Sequence, residues 1–301
     1  MIRKSHSGII ISMVRVSMLL FLWQGVGYGQ AKTDVSLFMK RRENVQMDSV
    51  ASASGNLFNK LGHHGPAIEN QWYGLRLYFH KKAAIDLYSK AKPGLELREK
   101  HWYPDKEEQR AGWGADYYKV GNTVGLGGIK LWDGKRVVDL HPVSRRSANV
   151  ENGEGYAVME MLSEGVSYKK EKVDIMVRVT VYDNRREAKV EACSMTGEPV
   201  QFVTGLNYFQ GLEVLKGENY VATWGIHPED VAAEKVEVGA GLVFSEATIT
   251  EHLDDGKQYL YISKPLKHFA VMVTSCNARE GEMNSFESLL KEVKRLASME
   301  Q

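Results

Sequence analysis

The chain has 301 residues, with 39 basic and 38 acidic side chains and a formal net charge of +1. That near-balance excludes a nucleic-acid binder built on a basic face and leaves room for a locally basic pocket that takes an anionic sugar. Two cysteines, Cys193 and Cys276, leave two states open: a disulfide in an oxidising compartment, or two free thiols acting as small core residues.

The N-terminus reads as a secretory signal peptide over residues 1–31. Basic Arg3, Lys4 and Arg15 precede an apolar run over 16–23, and small residues over 25–29 lead into Gln30 and Ala31. The apolar core of about eight residues falls well short of the roughly twenty that span a bilayer. A periplasmic or secreted protein is therefore expected, with no stable membrane insertion after cleavage; an uncleaved anchor is the alternative. No cysteine near the cleavage point offers a site for a lipid. Residues 32–301 are expected to form one domain, since all-β domains of this length are often single.

Strands dominate the remainder of the chain. Candidates in chain order are 75–79, 83–88, 124–132, 136–140 and 156–162. Over 172–182, Val173, Ile175, Val177, Val179 and Val181 share one face, while Asp174, Met176, Arg178, Thr180 and Tyr182 point the other way; this period of two marks a half-buried strand. A turn at Asp183 and Asn184 leads to a second alternating segment over 187–193, which predicts a hairpin. Further strands are expected at 203–209, 220–224, 241–244, 259–263 and 268–275, separated by turn residues such as Asp133-Gly134 and Asp255-Gly256. Only 285–299 repeats apolar residues at helical spacing (Phe286, Leu289, Leu290, Val293, Leu296), with Asn284 or Ser285 as its cap. Many antiparallel strands and one terminal helix predict an all-β fold, a large antiparallel β-sandwich of the mutarotase-like supersandwich kind.

Three clusters crowd aromatic and polar residues between glycines and prolines. The first holds His63 and His64 between Gly62 and Gly65, then Glu69, Asn70, Trp72 and Tyr73. Imidazoles suit proton transfer near neutrality; the plainer alternative is a turn cap and a surface residue. Trp72 and Tyr73 fit either a sugar-stacking surface or ordinary cross-strand packing. The second cluster is Arg98, His101, Trp102 and Tyr103. Arg98 can grip a carboxylate with two hydrogen bonds, although a surface ion pair with Glu96 or Glu99 is the favoured reading. The third is Trp113, Asp116, Tyr117, Tyr118 and Lys119. If extended, it points Tyr117 and Tyr118 to opposite faces, so that only one reaches a cleft. Residues 125–128 are not a phosphate loop, because Lys130 stands where the third glycine of that motif belongs. Serine-hydrolase, kinase and zinc-protease motifs are absent, and no metal or cofactor is expected.

The segments over 63–74, 93–98, 113–121 and 124–132 resemble a family of secreted bacterial proteins catalogued as a domain of unknown function. The likeness covers most of residues 60–275 and is stronger in the first half; the start is shorter than that family leads one to expect. One relative is a dehydratase acting on ulvan oligosaccharides. The resemblance implies an enzyme of polysaccharide degradation that eliminates water, or a glycosidic leaving group, from a non-reducing-end uronic acid to give a 4,5-unsaturated sugar. Its partner would be an anionic oligosaccharide. In that reading Arg98, Lys119 or Asn70 neutralises the carboxylate, His63, His64 or His101 is the base, and Tyr103, Tyr117 or Tyr118 the acid. Glu69, Trp72, Tyr73, Trp102, Trp113 and Asp116 line the sugar cleft. Two alternatives stay open: a mutarotase or epimerase using a histidine and a carboxylate such as Glu69, and a non-catalytic carbohydrate-binding protein with Trp72, Trp102 and Trp113 as its platform.

Overall fold

The structure, a computed structural model, describes residues 31–101, 103–228 and 232–300. The expected signal segment therefore lies outside the described residues except for Ala31, and so does Trp102. The described strands are β1 (Asp34–Ser36), β2 (Ser49–Ser52), β3 (Ala67–Glu69), β4 (Tyr73–Leu77), β5 (Ile85–Ser89), β6 (Lys130–Trp132), β7 (Val137–Val138), β8 (Arg145–Gly153) and β9 (Tyr156–Tyr168). They continue with β10 (Glu171–Tyr182), β11 (Arg185–Ser194), β12 (Val200–Asn207), β13 (Glu213–Lys216), β14 (Tyr220–Gly225), β15 (Val238–Phe244), β16 (Ile249–Asp254), β17 (Gln258–Leu266) and β18 (His268–Asn277). Two α-helices accompany them among the described residues, α1 (Lys106–Arg110) and α2 (Phe286–Met299).

These strands make a nine-stranded sheet in the order β13-β14-β15-β18-β11-β10-β9-β8-β2, a four-stranded sheet β1-β3-β4-β5 and a five-stranded sheet β16-β17-β12-β6-β7. The valines of β10 face inward as their alternation demands, and β10 pairs antiparallel with β11 from Ile175–Ser194 to Tyr182–Arg185. They meet Leu75, Leu87 and Leu206 of the smaller sheets, and Leu126 of the segment between them, in one buried cluster. The fold is a large antiparallel β-sandwich with one C-terminal helix. Ser285 caps that helix by accepting from Ser288 N, and Leu289, Val293 and Leu296 pack on Trp224, Val243 and Cys276.

The strand expected over 124–132 forms only at its end. Gly125 has φ 72°, and a Cβ there would lie 1.9 Å from the Ile85 carbonyl oxygen, so the chain makes single bridges instead. Gly125 pairs with Ile85 and Leu126 with Leu206, which joins the two smaller sheets edge to edge. The strands β1, β2, β3, β8, β13 and β16 have no counterpart among the predicted elements; they are short or, like β8 with its Arg, Ser, Asn and Gly, poor in β-formers.

The disulfide alternative does not hold, for both cysteines are free. Cys193 stands opposite His268 on β18. Cys276 lies eight residues further along that strand, about 27 Å away at the usual rise, whereas bridged residues sit within about 7 Å. Among the described residues no helix is long and apolar enough to cross a membrane.

In β4 and β5 the residues facing the main core are Tyr73, Leu75, Leu77, Ile85 and Leu87, so Gly74, Arg76, Asp86 and Tyr88 face the other way. That outer face is buried as well, because the chain after β5 folds back over it. Glu69 fixes this cover. Its carboxylate accepts from the backbone N–H groups of Glu96 (2.8 Å) and Leu97 (2.8 Å) and pairs with Lys90, whose side chain is fully buried. Lys90 also donates to the Asn70 and Gly94 carbonyls at 2.6 Å. Asn70 closes the turn before β4, accepting from Trp72 N (2.9 Å) and Tyr73 N (3.0 Å) and donating to Arg186 O (2.9 Å). Glu69 and Asn70, expected from the sequence to hold sugar, are therefore committed to the scaffold, where every polar atom they carry has a protein partner.

Replacing Glu69 by Ala leaves the Lys90 ammonium buried without its counter-charge, at a cost of about 3–5 kcal/mol. Urea unfolding of Glu69→Ala against wild type measures this; a loss under about 1 kcal/mol, the range of an exposed pair, contradicts it.

Candidate active site

The turn before β3 places two imidazoles over the outer face of the four-stranded sheet. His63 and His64 both adopt left-handed backbone conformations, with φ 51° and 61°, at a cost of roughly 1–2 kcal/mol each. Gly65 follows in extended conformation, and a Cβ there would meet the Leu77 carbonyl oxygen at 2.0 Å. The turn is thus pressed against β4, and ring contacts hold its side chains in place.

Each imidazole has its proton position set by a backbone carbonyl, which can only accept. His63 Nε2 lies 3.1 Å from Leu97 O and 3.2 Å from Ser36 Oγ, so Nε2 carries the hydrogen and Nδ1 the lone pair. His64 is the reverse: Nδ1 donates to Phe58 O at 3.0 Å, which leaves Nε2 unprotonated. The His64 ring stacks on Phe58 with centroids 4.0 Å apart and planes 11° from parallel. Burial, reinforced by Arg76, lowers His63 to about 3. Burial also lowers His64, against the opposing effect of its bond to Phe58, so both are neutral at neutral pH.

Beneath them lies a buried charge cluster. The Arg76 guanidinium pairs with Asp86 at 2.5 Å and with Asp116. Burial works against its charge, but Asp116 and Asp86 hold it well above the ordinary arginine value. Asp86 also accepts from the Tyr78 hydroxyl at 2.5 Å, and Asp116 lies beside the Tyr103 phenol. Burial raises Asp116, with Asp86 adding to the effect and Arg76 opposing it. Alongside, Tyr88 donates to Glu96 at 2.7 Å, and burial raises that carboxyl too. Lys100 closes the mouth, paired with Glu108 and lying 4.3 Å from the centre of the Trp113 ring.

The structure brings His63, His64, His101 and Tyr103 into one cleft, with Arg76, Tyr88 and Lys100. His101 packs on Phe38 at 4.6 Å. Asp116 lies directly behind the cleft and Trp113 beside its mouth. Other expected site residues stand elsewhere. Tyr73 is buried and donates to Val273 O at 3.2 Å, a core residue fixed between the sheets. Tyr118 is buried in the same core with its ring on His227. Tyr117 accepts from Arg279 at 3.0 Å and lines a separate cleft. Trp72 lines a third, under the Arg186 guanidinium. Arg98 is half-exposed and paired with Asp34 at 2.5 Å, a surface ion pair with a different partner from the two expected. Lys119 contributes its backbone, donating to His227 Nδ1 and accepting from Asn207.

Sequence reasoning missed Arg76, Tyr78, Asp86 and Lys100. A signal existed for two of them: Arg76 and Asp86 each interrupt an apolar strand, and they are register partners across β4 and β5, the pattern of opposite charges buried together.

Fold and cleft define a class, an antiparallel β-sandwich with neutral imidazoles and phenols gathered over an ion-paired arginine on the outer face of its smallest sheet. The chain belongs to the Domain of unknown function (DUF4861) family, whose model matches residues 28–298. No curated protein sequence matches it. Among solved structures it is similar to 4-alpha-glucanotransferase from Thermococcus litoralis, at 14% identity and a TM-score of 0.36; the match covers 70% of this chain and 39% of that one. It is also similar to a protein described as an aldose 1-epimerase from Klebsiella pneumoniae, at 10% identity and a TM-score of 0.34, with 89% and 96% covered.

A histidine whose folded pKa is depressed takes up its proton in the unfolded chain first. His63 therefore contributes stability that is complete above the ordinary imidazole value of 6.5 and is lost as pH falls toward about 3, up to about 5 kcal/mol in all. Urea unfolding between pH 7 and pH 4 is expected to show this slope, and His63→Asn to flatten it; an unchanged slope in the variant contradicts the assignment.

Proposed function

We propose that the protein is an exported carbohydrate-active lyase that removes water from the non-reducing-end uronic acid of an oligosaccharide. The observation that carries this reading is His64: a neutral imidazole whose Nδ1–H is committed to Phe58 O, in the wall of a cleft that also holds a lysine and a phenol. Eliminating water from a uronate needs a base for the C5 proton, a proton for the departing C4 hydroxyl, and a cation beside the carboxylate whose negative charge grows as C5 loses its hydrogen.

His64 Nε2 is the base, kept unprotonated by burial. As the C5–H bond breaks its electrons form the new alkene, the C4–O bond breaks, and the hydroxyl leaves as water with the Tyr103 proton. Burial and the carboxylate of Asp116 raise Tyr103 despite the opposing effect of Arg76, so the phenol is protonated at the start of each turnover. The proton on His64 then returns to solvent, and Tyr103 regains one. Lys100 faces the carboxylate and stabilises the enolate-like charge. His101 and His63 complete the wall; His63, held more strongly neutral, is the weaker base.

The alternatives fare less well. A mutarotase-like shuttle needs a free carboxylate, and Glu69 is locked to Lys90 and two backbone N–H groups. A stacking platform needs its rings together, whereas Trp72 lies under Arg186 in a side cleft and Trp113 under Lys100, beside the mouth of the imidazole cleft.

Incubating the protein with uronate-terminated oligosaccharides is expected to produce the ultraviolet absorbance of a conjugated alkene-carboxylate and a mass lower by one water. His64→Gln is expected to slow this about 10²–10⁴-fold while sugar binding by calorimetry persists; full activity in that variant removes His64 as base.

The base must be neutral to act, so activity falls as pH drops through its folded pKa. Because burial lowers that pKa, the acid limb of kcat/KM is expected below the ordinary imidazole value of about 6.5. A limb above it would point to a different base.

A further inference from the structure

We infer that a second cleft beside the imidazole site is a saccharide subsite, in which the Nε2–H of His227 donates to an oxygen of the bound sugar. This cleft has a volume of about 530 Å³ and is lined by Gln109, Asp116, Tyr117, Ile226, His227 and Pro228 among others. Its size lies within the usual range of small-molecule sites, about 300–1,000 Å³. It approaches the imidazole cleft at Asp116, which lies beside Tyr103, a wall residue of that cleft.

The protonation of His227 is set by its neighbour. The backbone N–H of Lys119 lies 3.2 Å from Nδ1 and can only donate, so Nδ1 is the acceptor. The ring is neutral, since burial lowers His227 to about 4. A neutral imidazole carries one hydrogen, which must then be on Nε2. That Nε2–H is buried and finds no acceptor among the described residues, although the residue is only 5% exposed. An unpaired buried donor is comparable in cost to a lost hydrogen bond. Tyr118 and Phe209 pack on the ring at 4.6 Å and 5.1 Å, which hinders it from turning away. A ligand oxygen arriving in the cleft satisfies the donor without any loss elsewhere.

The rest of the wall suits a pyranose. The Tyr117 oxygen accepts from Arg279 at 3.0 Å, which leaves its own O–H to donate to a sugar oxygen. Ile226, 47% exposed, and Pro228 offer apolar surface to the C–H face of a ring. The inference rests on the proposed lyase reading in one respect: the sugar taken here is the unit next to the uronate that reacts at His64.

Two substitutions separate the ring nitrogens. Asn at position 227 can present an oxygen to the Lys119 N–H but has nothing at the Nε2 position; Gln can present an amide N–H there. Calorimetry with a uronate-terminated disaccharide, on proteins also carrying His64→Gln to prevent turnover, is expected to show about tenfold weaker binding for His227→Asn and near-native binding for His227→Gln. With His64 intact, His227→Asn is expected to raise KM for the disaccharide by the same factor at unchanged kcat, and to leave a methyl uronoside, which lacks the second sugar, unaffected. Weaker binding in His227→Asn alone supports the subsite; if wild type then eliminates no water, only the lyase reading falls. Equal affinity in both variants and the parent, equal loss in both, or no binding of the disaccharide by the parent overturns the subsite.

Discussion

A guanidinium buried on the outer face of a β-sheet must bring its counter-charges with it, and Arg76 does so from two directions. Asp86 comes from the neighbouring strand and Asp116 from the segment that covers the sheet. The first pair joins register partners, so it ties side-chain electrostatics to strand alignment. The second holds the covering chain down. Each carboxylate also has a phenol beside it, Tyr78 donating to Asp86 on one side and Tyr103 next to Asp116 on the other. In such a network the loss of one partner leaves the rest buried and uncompensated, a penalty of about 3–5 kcal/mol for a broken pair. Burial pushes Asp116 toward holding a proton, and the one negative charge that two carboxylates leave in excess of one cation adds to that push.

The imidazoles inherit their properties from this base. Burial is the largest cause of the lowered pKa at both His63 and His64, and Arg76 adds to it at each. The hydrogen bonds that set the tautomers also run back into the scaffold. Leu97 gives its N–H to Glu69 and its carbonyl to His63, so the carboxylate that fastens the cover also fixes the orientation of an imidazole above it. Two consecutive left-handed residues are an unfavourable turn, and His63 and His64 persist in it because β4, Phe38, Phe58 and these carbonyls leave no alternative placement.

How legible this was depended on the period of the signal. Strands with a clean alternation, such as β10 and β11, and the helix with apolar residues at 286, 289, 293 and 296 could be read directly, because one face of each is buried and the other is not. In the four-stranded sheet only β4 and β5 were expected, and what their outer face does could not be read, since the sheet is buried on both faces and its polar residues point inward to one another. Arg76 and Asp86 therefore looked like interruptions, and Glu69 and Asn70 looked free to bind ligand. Four residues of the aromatic clusters, His63, His64, His101 and Tyr103, do share one cleft. Neighbours in sequence nonetheless diverged: Trp72 and Tyr73 left for a side cleft and the core, and Tyr117 parted from Tyr118, as alternation in an extended chain requires.

The space between the imidazoles and the phenol adds a constraint of its own. The cavity there is about 20 Å³, enough for one water molecule and far too small for a pyranose ring. Under the proposed reaction the ring then stays at the mouth, beside Lys100, and only its C4 hydroxyl and C5 hydrogen enter. A hydroxyl leaving as water fits that volume, whereas a glycosidic leaving group does not. Of the two eliminations a uronate can undergo, the size of the cavity favours dehydration over cleavage of the chain. In the proposed reaction the departing oxygen would lie beside the phenol within this small cavity, where a lower dielectric makes the interaction stronger than in solution, while Lys100 meets the sugar carboxylate at the mouth.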